Sequence, residues 1–150
     1  MPQRDLKNNI QVVHLNEMTL SGTTPEATDW VDTRGFDSCT FVVLTGVVAD
    51  AGAAAGVVFE VQDSDLVTAA SAVAVNDLEL VGDESDLSLL LDSEDTVILG
   101  TIGYVGDARY ARVDATGTSN TDAIIIVIAI LHNGDRMPTG AGVGVSVAAT

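Results

Sequence analysis

The sequence predicts an all-β chain: a single-domain antiparallel β-sandwich or barrel, jelly-roll-like, with extended N- and C-terminal arms. Three observations carry that expectation. Apolar residues come in short runs rich in Val and Ile, several of them strictly alternating with polar residues. Clusters of Gly, Asp, Asn and Ser separate those runs at regular spacing. No stretch repeats its apolar residues at the 3.6-residue period of an amphipathic helix.

Taken in order, residues 1–9 read as a polar arm, with Pro2 and the Asn8-Asn9 pair. The domain proper spans 10–139, and 140–150 form a C-terminal tail or edge strand. Residues 10–15 are a first strand. The turn-rich stretch 21–25 leads to Trp30, and Arg34-Gly35 turns into a strand over 39–48. That strand is apolar on both faces, as expected in the middle of a sandwich. Residues 50–56 form a loop of small side chains. Beyond it Val57, Phe59 and Val61 face inward, and Glu60 and Gln62 face out.

Residues 66–81 mix alanines, which permit a helix, with valines and Thr68, which favour extended chain. The extended form is expected, with 78–81 as a short edge. Residues 82–95 hold six carboxylates, Asp83, Glu84, Asp86, Asp92, Glu94 and Asp95, around an apolar island at 87–91 that anchors a loop or short strand. The strand over 96–105 contains Gly100 and Gly103, which mark bulges or a close backbone approach. Gly106-Asp107 turns, 109–113 alternates, 116–121 turns again, and 122–132 is the clearest central strand. After Asn133-Gly134-Asp135, the alternating Val143, Val145 and Val147 suit an edge strand or a tail that pairs with a neighbour.

At 150 residues the chain fits one domain. An apolar content of 47 % and a mean hydropathy of +0.33 exclude a disordered acidic tail. Six basic residues against 22 acidic ones leave a formal charge of −16, which excludes a phosphate-binding nucleic-acid partner. Lys7 is the only lysine; the arginines are Arg4, Arg34, Arg109, Arg112 and Arg136. The surplus acid reads either as an ordinary hydrated surface or as adaptation to a marine or halophilic setting, where salt screens carboxylate repulsion. Under the second reading the melting temperature rises from low to molar salt. Thermal melts across a KCl series check this, and an unchanged melt counts against it.

Cys39 is the single cysteine, so no internal disulfide forms, and its apolar surroundings make it a small hydrophobe. The chain opens on a mixed segment rather than the apolar core of a secretory signal. The longest apolar run, 123–131, has nine residues against the roughly 20 a membrane helix needs, and its Ile and Val favour a buried strand.

Catalytic signatures are sparse. Neither His14 nor His132 neighbours a Gly-x-Ser-x-Gly elbow, and one cysteine with two distant histidines does not make a zinc set. Six aromatics, Trp30, Phe36, Phe41, Phe59, Tyr104 and Tyr110, are too few to line a sugar cleft as well as a core. Asp63-Ser64-Asp65 and the 83–95 loop offer hard oxygen ligands for calcium, but neither has the spaced calcium-loop pattern. Phosphate-loop and dinucleotide fingerprints are missing. The sequence therefore assigns no catalytic residue, no cofactor and no metal ligand.

One ordered set of motifs does stand out. Asp32-Thr33-Arg34-Gly35-Phe36-Asp37-Ser38 leads into Cys39-Thr40-Phe41-Val42-Val43. Phe59-Glu60-Val61-Gln62-Asp63-Ser64-Asp65 follows, then Ile102-Gly103-Tyr104-Val105-Gly106 and Arg109-Tyr110-Ala111-Arg112-Val113. Over roughly residues 25–133 this resembles a group of small virion structural proteins of tailed bacteriophages and related archaeal viruses. It departs from them after Asp65, where Leu66-Val67-Thr68 replaces a further Asp-Gly and Trp.

The resemblance implies a non-enzymatic head decoration or cement protein on the capsid surface, synthesised in the host cytoplasm. Its implied partners are the major capsid protein and further copies of itself, most simply a trimer, with no nucleic acid and no membrane. A tail, neck or fibre-attachment protein, or a secreted carbohydrate- or calcium-binding β-module, is the alternative. Arg34, Arg109 and Arg112, scarce cations in an anionic chain, either pair with carboxylates across a subunit boundary or pair within the sheet.

Overall fold

The computed structural model describes residues 6, 8–52, 56–134 and 146–148. Its strands in chain order are β1 (Ile10–His14), β2 (Met18–Ser21), β3 (Pro25–Ala27), β4 (Trp30–Asp32), β5 (Phe36–Asp50), β6 (Val58–Ser64), β7 (Val73–Ala74), β8 (Leu80–Val81), β9 (Ile98–Tyr104), β10 (Tyr110–Thr116), β11 (Asp122–Gly134) and β12 (Ser146–Val147). They form two antiparallel sheets that pack as a sandwich and do not close into a barrel. The first sheet runs β1-β11-β5-β9-β8, with β2 also on β11. The second runs β12-β4-β10-β6-β7, with β3 also on β10.

Period-two alternation explains the core. β11 turns Ile125, Val127, Ala129 and Leu131 inward, and β5 turns Cys39, Phe41 and Val43 inward beside them. Phe59 and Val61 of β6 and Ala111, Val113 and Ala115 of β10 belong to the same cluster and supply the second sheet's side. Fully buried branched and aromatic side chains each contribute about 1.5–3 kcal/mol over exposure.

β5 begins at Phe36, earlier than the expected 39, because its pairing with β11 continues to Phe36↔Gly134. The two glycines of β9 do what the sequence led one to expect. Gly100 lies at the shift where Leu44 pairs with Ile98, and Gly103 lets the Val81 side chain lie against the backbone. The segment 66–81 is extended only in part. Short 3₁₀ turns occupy Ala69–Ser71 and Asp77–Glu79, between which lies β7, and β8 then forms the expected edge. Side chains set these turns: Asn76 Oδ1 accepts the Leu78 N–H, and the Ser71 hydroxyl bonds to Ser64 and Thr68.

The island at 87–91 sends Leu87 and Leu89 fully into the core, and the Val57 N–H donates to the Leu89 carbonyl at 3.1 Å. At the C-terminal end, β12 pairs with Trp30 and Val31 of β4 and so serves as an edge strand of the chain's own second sheet. Most of the expected arm (1–5 and 7), residues 53–55 of the 50–56 loop, the end of the expected domain (135–139), and 140–145 and 149–150 of the tail lie outside the described residues.

Candidate functional surface

A two-layer sandwich covers only one face of each sheet, so the outward face of an antiparallel strand is ordinarily polar. β11 breaks this pattern. Between Asp122 at one end and His132 at the other, its outward residues are Ile124, Ile126, Ile128 and Ile130, all half-buried. Register extends the apolar surface across the sheet. Val12, Ile130, Thr40, Gly103 and Val81 form one row, and His14, Ile128, Val42 and Thr101 form the next. Leu44 with Ile98, and Thr19 with Ile124, continue it.

Val12, Val81 and Ile98 are 49 %, 62 % and 65 % exposed. Not one of these residues is Asp, Glu, Lys or Arg, in a chain carrying −16. Glycine keeps the surface flat: a Cβ at Gly46 would meet the Ile124 side chain at 3.0 Å. The both-face apolarity of 39–48 thus marks a mid-sheet strand whose second apolar face lies on the outside.

The outward face of the second sheet has the opposite character. Arg112 lies between Trp30 and Gln62, its Nε and Nη2 donating to Gln62 Oε1 at 3.0 and 2.8 Å. Its guanidinium carbon is 4.5 Å from the Trp30 ring centroid. Burial lowers the Arg112 pKa. The Trp30 Nε1 is buried without a hydrogen-bond partner among the described residues. Arg112→Ala removes two bonds from a charged donor and the ring contact, an expected loss of about 2–3 kcal/mol. A thermal melt reads this as several degrees, so an assembly defect in an Arg112 variant must be judged beside its melting temperature.

Asp114 shares that face with Glu60, its partner on β6. Burial raises its pKa, and Glu60 and Glu26 add to the effect, against Thr116 and Arg112. The folded chain therefore takes up this proton before the unfolded chain does as pH falls. The penalty for the charge is full above the folded value and fades as pH drops toward the ordinary 3.8. Asp114→Asn is expected to raise the melting temperature at pH 7 by no more than about 4 °C, the gap to the parent closing toward pH 4 in melts across that range. Asp32 works in the other direction. Burial alone would raise its carboxyl, but the Arg109 and Arg34 interactions outweigh burial and hold it below its usual value. Its contribution is present above pH 3.8 and is lost as pH falls through the folded value.

The three arginines singled out from the sequence do not converge. Arg109 Nη2 pairs with Asp32 Oδ2 at 2.8 Å, and its guanidinium carbon lies 4.7 Å from the Tyr110 ring centroid. Asp32 also accepts the Arg34 N–H at 3.0 Å. The Thr33 hydroxyl donates to the Arg109 carbonyl at 2.9 Å, tying the 33–36 turn to the 107–109 turn. Between them lies an open groove of about 540 Å³, lined by residues 33–37 and 105–109. Arg34 and Arg109 are balanced there by Asp37 and Asp107. Arg112 stands apart on the sheet face, and Arg34 is the most exposed of the three.

The acidic loop is a set of backbone caps. Asp92 Oδ1 accepts the Ala51 N–H at 2.8 Å, Asp95 Oδ1 accepts the Val48 N–H at 2.5 Å, and Glu94 Oε2 accepts those of Leu90 and Leu91, both at 2.8 Å. Glu84 accepts the Val61 N–H; burial still raises its pKa, helped by Glu60, Asp77 and Asp83. Asp83 accepts the Ser85 N–H at 2.8 Å, and its bonds with Ser85 hold its carboxyl below the usual value. Asp63 accepts the Tyr104 hydroxyl at 2.9 Å, and Asp65 accepts the Arg109 N–H at 3.2 Å. Burial, together with Asp63, pushes the Tyr104 phenol well up. Among the described residues no three His, Cys, Asp or Glu side chains group as a metal set.

One contact went unseen in the sequence. The Ser38 hydroxyl lies 3.0 Å from His132 Nδ1, because β5 and β11 place residues 94 positions apart directly opposite each other. Both line a shallow pocket of about 300 Å³ with Val81, Thr101 and Val105. No carboxylate bonds to the imidazole among the described residues, so the pair lacks the group that orients a triad histidine. Burial pushes the Cys39 thiol up to about 12, which suits a packing role. No helix among the described residues is long and apolar enough to cross a membrane. Comparisons with family models, curated proteins and solved structures gave no match for this chain.

Proposed function

We propose that this chain is a non-enzymatic virion structural protein, a decoration or cement protein that binds the outer capsid lattice and bridges neighbouring coat subunits. One observation carries the reading: a chain of charge −16 keeps the middle of a five-strand sheet face, from Ile124 to Ile130 along β11 and from Val12 across to Val81, free of Asp, Glu, Lys and Arg and rich in Ile and Val, with Asp122 at one end of β11. Such a face costs solubility unless another macromolecule covers it. The ordered turn and strand motifs over roughly 25–133, which resemble small virion proteins, support the same assignment.

In this reading the partners are the major capsid protein and further copies of the chain, most simply a trimer, and the protein resides on the capsid surface. Repetition around a lattice lets individually modest contacts suffice. Of Arg34, Arg109 and Arg112, Arg34, exposed at the groove between the two turns, is best placed to meet a carboxylate across a subunit boundary.

The deciding experiment is electron microscopy of particles assembled with and without this protein, joined to heat and osmotic-shock survival. Added density on the shell and greater survival are the expected results. Density on a tail or neck would assign the alternative virion position. Particles that survive equally well without the protein would defeat the cement role.

A further inference from the structure

We infer that the outward face of the first sheet is the surface through which copies of this chain pack on one another, sheet against sheet. The inference deepens the proposal above and rests on it in one respect, that this face is an assembly surface. What it adds is the occupant.

Charge selects the occupant. A partner of opposite sign is best met by carboxylates, which this chain carries in excess, at 22 against six basic residues. A second copy brings another −16, and two such copies approach closely only where neither presents a carboxylate. The β11 face meets that condition from Ile124 to Ile130, Asp122 standing at its end. Ile124, Ile126, Ile128 and Ile130, with Val12, Val42, Leu44, Val81 and Ile98 on the flanking strands, include no ionised carboxylate. The opposite face of the sandwich, with Asp32, Glu60 and Asp114, would set like charges against each other.

Shape agrees with charge. Gly46 and Gly103 let the Ile124 and Val81 side chains lie down against the sheet, so the face is flat. Flat faces of stiff β-branched residues pack against another sheet about 10 Å away. The face also lacks the Trp, Tyr, Lys and Arg that anchor a protein to a bilayer surface. Five strands about 4.8 Å apart and seven residues along β11 give a footprint on the order of 400 Å² before side-chain relief. That is about half of the roughly 800 Å² each partner buries in a standard interface, and Thr19 on β2, beyond the five strands, extends it.

Light scattering on purified protein without coat subunits tests this, from about 1 to about 100 µM in high salt. A face packed on its own copy closes a two-fold pair, so the parent is expected to give the mass of two 15.5 kDa chains, and the trimer of the proposal above needs a second contact surface. Ile128→Glu, at the centre of the face, is expected to give 15.5 kDa. The double variant Val12→Glu with Ile98→Glu changes only well-exposed positions, and is expected to do the same with a cooperative melt retained. Thr116→Glu, on the outward face of the second sheet, should leave the parent mass unchanged. A parent that stays at 15.5 kDa throughout, or variants that keep the parent's assembled mass, would overturn the inference. If a monomeric parent still occupies coat shells and Ile128→Glu does not, the face belongs to the coat and the capsid proposal stands. If a monomeric parent also fails to bind shells, both fall.

Discussion

Phe41→Ala is expected to lower stability by about 3–5 kcal/mol, a melting temperature on the order of 10 °C below the parent. Phe41 is fully buried near the middle of β5, opposite Ala129 of β11 on one side and Ile102 of β9 on the other. It points toward the second sheet from the first. The small Ala129 leaves room for its ring, and no neighbouring strand can move in to refill the space, because hydrogen bonds hold β5 on both edges. Loss of the ring removes its apolar transfer energy and leaves a cavity as well. Phe41→Leu keeps more of the volume and should lose clearly less. Urea and thermal melts of the three proteins give the comparison. A Phe41→Ala protein within about 1 kcal/mol of the parent would mean that the two sheets do not meet at this residue.

The second large effect belongs to a backbone position. Gly56 has φ +61, where any other residue is strained, and a Cβ there would lie on the Leu89 carbonyl oxygen. That oxygen accepts the Val57 N–H, the bond that pins the island at 87–91 to the start of β6. Gly56→Ala must therefore open the contact that lets Leu87 and Leu89 reach the core, and about 3 kcal/mol or more should be lost. Gly82→Ala is the control. Its φ is +112, yet the nearest atom to an added Cβ is 3.8 Å away, so it carries backbone strain alone, about 1–2 kcal/mol. If the two variants melt together, the close approach at Leu89 has no energetic weight.

Much of the fold can be read from alternation. Val57, Phe59 and Val61 face inward as their spacing requires, and the run at 123–131 is the central strand β11. Alternation tells which residues share a face, but not whether another layer covers that face. The outward isoleucines of β11 therefore read as buried and proved to be half-exposed. The carboxylates of 83–95 read as solvated charge because their partners are backbone N–H groups, which have no identity in a sequence. Ser38 with His132, and Trp30 with Arg112, were hidden for a different reason: each pair meets only through long-range strand register. Of the arginines, the sequence offered pairing across a boundary or within the sheet. Arg109 and Arg112 make bonds within the chain, with Asp32 77 positions away and Gln62 50 positions away, so the choice between the two was also settled by strand register.

The pairing of β5 with β11 also governs how quickly the protein reaches its native state. These are the longest strands, they lie side by side at the centre of the first sheet, and their partners are as far apart along the chain as Ser38 and His132, 94 positions. The loop between them must close before a single bond of that ladder forms, which places folding among slow, non-local topologies, on the order of milliseconds to seconds. Throughout that interval the isoleucine-rich strand has neither its ladder partner nor its covering layer. Refolding yield should accordingly fall as protein concentration rises, through collisions between unfinished chains rather than through any weakness of the finished one.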